Sequence, residues 1–238
     1  MSAYGGSKIV TDGLLVYLDA SDNQSYSTGA ILHNLVNSDN NFINYNGAGI
    51  SGSAASKRIV FDGVNDIAQY VGTPTGLQGD PDFTVFGAFY RTGDMINEAC
   101  WGFGTGATLD GIGSYNGGTP NDIALDLWGN STITTGDDFP LNSWVLVHWV
   151  KTAGALNPTN LTIWINDRKE TGTSLTQIRG GSSIPTIGSQ GMILGRIGYT
   201  VSSYYAPVDI GLIAFYDRVL TDKEIAQNYI SSRGRFGL

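Results

Sequence analysis

Residues 57–71 read KRIVFDGVNDIAQYV. Ile59 and Phe61 alternate with Arg58 and Val60 until Asp62-Gly63 breaks the run. A second apolar run follows through Ile67, Ala68, Gln69, Tyr70 and Val71. Two short stretches rich in strand formers, separated by Asp-Gly and Asn65-Asp66, predict a strand, a tight turn and a strand paired as a hairpin.

The same punctuation recurs along the chain. Gly13–Ala20 (GLLVYLDA) is a strand with apolar residues on both faces, which implies burial on both sides. Phe83–Tyr90, Cys100–Phe103, Ile123–Trp128, Trp144–Lys151, Leu161–Asn166, Met192–Ile197 and Val208–Tyr216 read as further strands, with Asn166-Asp167 turning the strongest pair. There are 33 glycines but only 7 prolines, so Gly, Asn and Asp make most of the turns. Helical patterning occurs near the C-terminus. There Thr221 is placed to cap the first turn, Glu224 to reach back to the cap, Ile225 and Tyr229 to share a face, and Gly234 to end the helix. The expectation is an all-β chain: a two-sheet antiparallel sandwich with one short C-terminal helix. At 238 residues this fits one domain over 1–238, with short arms at about 1–10 and 233–238.

The formal charge is -8 and the sequence pI about 4.5, which argues against nucleic acid as a partner because phosphate binding needs a basic footprint. Cys100 is the one cysteine, so no internal disulfide forms, and its neighbours Ala99 and Trp101 predict a buried thiol. The opening SAYGGSKIVTDG lacks the basic and apolar regions of a secretory signal, and no apolar run is long enough to insert in a membrane. The reading is synthesis in a host cytoplasm without Sec export.

The pieces TDGLLVYLDA, RIVFDGVNDIAQYV, FTVFGAFY, SWVLVHWV, LTIWINDRKETG, MILGRIG and VDIGLIAFYDRVLTDKEIAQNY occur in one order. In that order the chain resembles the concanavalin A-like, laminin-G-like jelly-roll family, in the form found in tailed-phage structural proteins. The resemblance runs over roughly residues 11–232. It implies a jelly-roll sandwich used for glycan binding, often with a calcium ion at one edge, and it does not imply catalysis. The ending ISSRGRFGL is similar to tails on such phage domains. Arg233, Arg235 and Phe236 are accordingly expected to form an assembly arm, docking on capsid or tail subunits in a homo-oligomer or array.

Catalytic residues are not expected. The three glutamates, Glu98, Glu170 and Glu224, are far apart, whereas glycoside hydrolysis needs paired carboxylates. His148 reads as a half-buried strand histidine with one hydrogen bond, and His33 as a loop residue. Gly102–Gly106 lacks the Lys-Ser/Thr ending of a phosphate loop. No cofactor is required. Calcium is a candidate through Asp62, Asn65 and Asp66 at the central turn, with Asp110 and Asp122 in the middle loops. The same residues are also ordinary turn formers. Tyr115, Asn116, Trp128, Asn130, Tyr199, Tyr204 and Tyr205 are candidate glycan-binding residues that would serve a subunit interface equally well. The functional expectation is a non-enzymatic virion protein displayed on a phage particle, as capsid decoration or tail or fibre adhesin, that holds host-surface glycans. The alternative is a free carbohydrate-binding module or lectin, with a polysaccharide-degrading enzyme the least favoured reading.

Overall fold

The computed structural model describes residues 8–26, 30–37, 41–53, 56–70, 72–116, 121–128, 131–136, 138–180, 183–198 and 202–238. In chain order the strands are β1 (Leu14–Asp19), β2 (Ile31–Leu32), β3 (Phe42–Tyr45), β4 (Gly49–Ser51), β5 (Arg58–Asp62), β6 (Ile67–Tyr70), β7 (Phe83–Arg91), β8 (Ala99–Ala107) and β9 (Asp110–Tyr115). They continue with β10 (Ala124–Leu127), β11 (Ser131–Thr134), β12 (Trp144–Lys151), β13 (Leu161–Ile165), β14 (Arg168–Thr171), β15 (Thr176–Gly180), β16 (Met192–Leu194) and β17 (Pro207–Tyr216), and helix α1 (Asp222–Phe236) follows.

Two antiparallel sheets form the sandwich expected from the sequence. The first runs β14-β13-β12-β7-β17-β5-β4, with β1 also paired to β17, and the second runs β15-β11-β10-β9-β8-β16-β6-β3-β2. Alternation explains the layering. Val16 and Leu18, Ile59 and Phe61, and Val85 and Phe89 turn one face of the first sheet inward, where they meet Phe103, Leu125 and Leu127 of the second. Trp101 lies fully buried at the centre, edge-on to Trp149 at 5.3 Å and to Phe215 at 5.7 Å between ring centroids. The Trp149 indole N–H donates to the carbonyl of Ala124 at 2.9 Å, so the one polar atom of that ring is satisfied inside the core.

The stretch 57–71 departs from expectation. β5 pairs with β4 and β17 in the first sheet, whereas β6 pairs with β16 and β3 in the second. The Asp-Gly segment is therefore a crossing between sheets and not a hairpin. The Asp62 carboxylate accepts from the amides of Val64 and Asn65, and Gly63 takes a left-handed φ of 77°. That turns the chain through the sandwich edge, and each strand finds partners remote in sequence. The Asn166-Asp167 hairpin between β13 and β14 forms as expected.

Helix α1 is capped as the sequence predicts: the Thr221 side chain accepts from the Glu224 amide, and Glu224 reaches back to the Thr221 amide at 2.8 Å. It ends later than expected, because Gly234 is helical and the left-handed cap is Gly237. Buried Ile225, Asn228, Ser232 and Phe236 recur at helical spacing and lie on the outer face of the first sheet. The proposed arm residues are thus the helix's final turn. Phe236 packs on Trp144 at 4.7 Å, Arg235 pairs with Asp19 at 2.6 Å, and exposed Arg233 lies over Tyr229. At the other end Val10 is buried and its amide donates to Asn228, so residues 8–10 also lie on the body.

His148 departs as well. It lies under α1, fully buried and stacked on Phe86, and neither ring nitrogen has a hydrogen-bond partner among the described residues. Burial pulls its pKa down to about 3, so the ring is neutral. Cys100 is buried as predicted, and burial pushes its thiol up to about 12.

Candidate functional site

Three of the aromatic candidates meet. Tyr115 ends β9, Trp128 follows β10, and Tyr204 lies in the segment before β17. Their ring centroids are 5.6 Å (Tyr115–Trp128), 5.2 Å (Tyr115–Tyr204) and 5.3 Å (Trp128–Tyr204) apart, each pair near edge-to-face. With buried Ala99 and Ile197 they form a small apolar cluster separate from the main core. Tyr115 is buried, and Trp128 and Tyr204 are half-exposed.

Period-two alternation puts this cluster on the outer face of the second sheet. Ile112, Leu125, Leu127 and Ile133 point into the core, so Tyr115, Asp126 and Trp128 point away from it. Strand register extends a row across that face: Gly113 opposes Asp126, Asp126 opposes Thr132, and Thr132 opposes Arg179. The Thr132 hydroxyl donates to one Asp126 oxygen, while the other is buried with no hydrogen-bond partner among the described residues. Burial lifts the Asp126 carboxyl to about 7, against the opposing pull of the Thr132 hydroxyl and the Arg179 charge. Arg179 lies over the Tyr115 ring at 6.0 Å.

Polar neighbours hold the rings. The Tyr115 hydroxyl donates to Asn97 Oδ1 at 2.9 Å, and the Tyr204 carbonyl accepts from the Ala99 amide. Tyr204 and Asn97 both have left-handed backbones, at φ 70° and 66°. For a bulky aromatic that conformation is strained and must be held by its surroundings.

The other candidates fall elsewhere. Asn116 is fully buried and braces the backbone, donating to the Met95 carbonyl and accepting from the Asn97 amide. Tyr205 accepts from Arg196 and takes no part in the ring cluster. Asn130 and Tyr199 lie outside the described residues. Of the calcium candidates, Asp62, Asn65 and Asp66 share one turn. There one Asp62 oxygen accepts two backbone amides, and Asp66 accepts from the Asp62 amide. Asp110 binds Thr105 and the Gly188 amide, and Asp122 binds Thr134. Among the described residues no three His, Cys, Asp or Glu side chains are grouped to hold a metal ion.

Arg179 and Asn97 escaped the sequence reading, which weighs Asp126 only as a catalytic carboxylate. Asp126 carried a usable signal, since it stands two residues from Trp128 in ALDLW and must share its face. Arg179 carried none, because β15 joins the row only through tertiary pairing.

The fold defined by these two sheets is a β-sandwich, and solved structures agree. The chain is similar to Trypanosoma rangeli sialidase in complex with sialic acid, at 13% identity and a TM-score of 0.60, covering 97% of this chain and 35% of that one. It spans about a third of the sialidase chain. It is also similar to domain 4 of AbnA, an extracellular arabinanase of Geobacillus stearothermophilus in complex with arabinotriose, at 14% identity and a TM-score of 0.59, covering 92% of this chain and 98% of that one. A third likeness is to the botulinum neurotoxin serotype C1 binding domain, at 13% identity and a TM-score of 0.61, covering 93% of this chain and 52% of that one. No protein-family model matches the chain, and no curated protein sequence matches it.

Proposed function

We propose that this chain is a non-enzymatic glycan-recognition sandwich whose sugar platform is the Tyr115–Trp128–Tyr204 cluster. The observation that carries the reading is the meeting of these three rings on the outer face of one sheet, with Tyr204 held in a strained backbone. The half-exposed faces of Trp128 and Tyr204 beside exposed Arg179 offer a sugar both a stacking surface and a hydrogen-bond donor. The arabinanase domain, matched along nearly its whole length, supports the reading because its structure contains arabinotriose.

Two of the three glutamates support the non-enzymatic part: Glu224 is tied to Arg218 and the helix cap, and Glu170 to Arg168. The proposed setting is the surface of a tailed-phage particle, as capsid decoration or as tail or fibre adhesin. The order of sequence pieces supports it, and the packed C-terminal turn removes one argument for it. The second reading is a free module or lectin, which the likeness to the arabinanase domain favours.

A glycan array with the parent chain, Trp128→Ala and Tyr204→Ala tests the platform. Retention by the parent and loss in both variants is expected, and full retention in both variants overturns it. Mass spectrometry of density-purified particles from the source lysate tests the setting. Presence in particles supports display, and presence only in the soluble fraction favours the free module.

A further inference from the structure

A second concavity lies on the opposite side of the sandwich. On the outer face of the first sheet, register lines up Gly49, Val60, Asp209, Tyr90 and Trp144 in one row across β4, β5, β17, β7 and β12. Helix α1 covers the neighbouring part of this face and stops where Phe236 meets Trp144. Beyond that point a cleft of about 480 Å³ opens, lined by Gly49, Arg58, Val60, Asp62, Thr92 and Asp209 among others. That volume lies within the range of small-molecule sites.

The chemistry inside it is unusual for a sheet surface. Asp209 is only 2% exposed, on a central strand, and its Oδ2 pairs with Arg58 at 2.9 Å. Its Oδ1 is buried with no hydrogen-bond partner among the described residues. A buried acceptor left unmatched is costly, and native proteins keep such groups chiefly where something else uses them. Arg58 is the half-exposed cover. Its guanidinium lies over the Tyr90 ring at 5.5 Å, and Tyr90 in turn contacts Trp144 at 5.3 Å.

We infer that this cleft is a second ligand site and that it takes a neutral saccharide through a vicinal diol. One hydroxyl donates to Asp209 Oδ1 and its neighbour accepts from the Arg58 guanidinium, once that long side chain swings aside. Val60 and the bare backbone at Gly49 give the apolar face of the sugar a flat seat. Two carboxylates, Asp62 and Asp209, against one guanidinium make the cleft acidic, so uronic and sialic acids are disfavoured. The site is independent of the Tyr115–Trp128–Tyr204 platform and lies on the other sheet. With both sites the chain bridges two sugars.

Amide and arginine-side-chain NMR of the full chain, titrated with millimolar lactose, maltose and cellobiose, with sialyllactose as the anionic control, tests this. The expected result is that at least one neutral disaccharide shifts the Arg58 Nε–H and the Thr92 and Gly49 amides, while sialyllactose does not. The blocking variant is Gly49→Tyr, where a new β-carbon meets only the Gly47 carbonyl at 3.6 Å, an ordinary contact, and an unchanged amide spectrum outside the cleft confirms that the variant is folded. It should weaken that binding by about tenfold or more, while Trp128→Ala leaves it intact. The inference is overturned if no neutral disaccharide moves these resonances, if sialyllactose moves them equally, or if Gly49→Tyr binds as well as the parent. Shifts confined to Trp128 and Tyr204 would overturn it while leaving the first platform standing.

Discussion

The ring of Tyr204 meets the ring of Trp128 edge-on at 5.3 Å while its own backbone sits at φ 70°. The contact therefore holds a conformation that costs on the order of 1–3 kcal/mol. Trp128→Ala removes the support as well as the stacking face. It should abolish glycan retention and lower the melting temperature modestly. Tyr205→Ala, outside the cluster, should leave retention near the parent level. Retention lost in Tyr205→Ala and kept in Trp128→Ala would place the site elsewhere.

His148 sets an acid limit. An unfolded histidine titrates near 6.5 and this one near 3. Between those values the unfolded chain takes up a proton that the native ring refuses. Stability is therefore whole above the upper value and falls as pH drops through the window. The full span is worth about 5 kcal/mol. His148→Phe keeps an aromatic on Phe86 and removes the proton, so its unfolding midpoint should exceed the parent's at about pH 4, with a smaller difference above neutrality.

Asp126 works in the opposite direction. Its ordinary value is 3.8 and burial raises it to about 7. The native state holds a proton that the unfolded chain has already lost, so this contribution is complete below the lower value. It fades as pH rises through the upper one. Asp126→Asn should remove the stability loss that falls between about pH 4 and pH 7, measured by denaturant unfolding across that range. An unchanged slope there would mean that the carboxyl is ionised throughout.

Phe236 occupies the place where Gly211 would carry a β-carbon. Gly211 stands at the register shift of β17, and its carbonyl also accepts from Arg235 at 3.1 Å. Gly211→Ala must displace the ring and with it the last turn of α1, at a cost of about 1–3 kcal/mol. Phe236→Ala should also destabilise. If the ring is the obstacle, the double variant will be less unstable than the sum of the two singles.

Much of this fold was legible in alternation. WVLVHWVK and LTIWIN pair as β12 and β13 because each carries an inward face and a turn residue at the right end. The crossing at Asp62–Asp66 was not legible. A hairpin and a sheet-to-sheet passage use the same Asp-Gly chemistry, and only partners distant in sequence decide between them. His148 was misread for a related reason. Its strand is apolar on both faces, but the helix that buries the His148 face lies more than seventy residues away. At the site, the aromatic residues could be named from sequence, but not their convergence. Tyr204 reaches Trp128 only through a segment that local propensity does not favour.

Strand β17 is bordered by β7 on one side and by β5 and β1 on the other. A polypeptide leaves the ribosome from its N-terminus, so β1 emerges long before the strand that will hold it, and β5 and β7 wait for the same partner. Contacts of this span close slowly, and unpaired strand edges stay open in the meantime. Until β17 emerges, the first sheet of this protein has no middle.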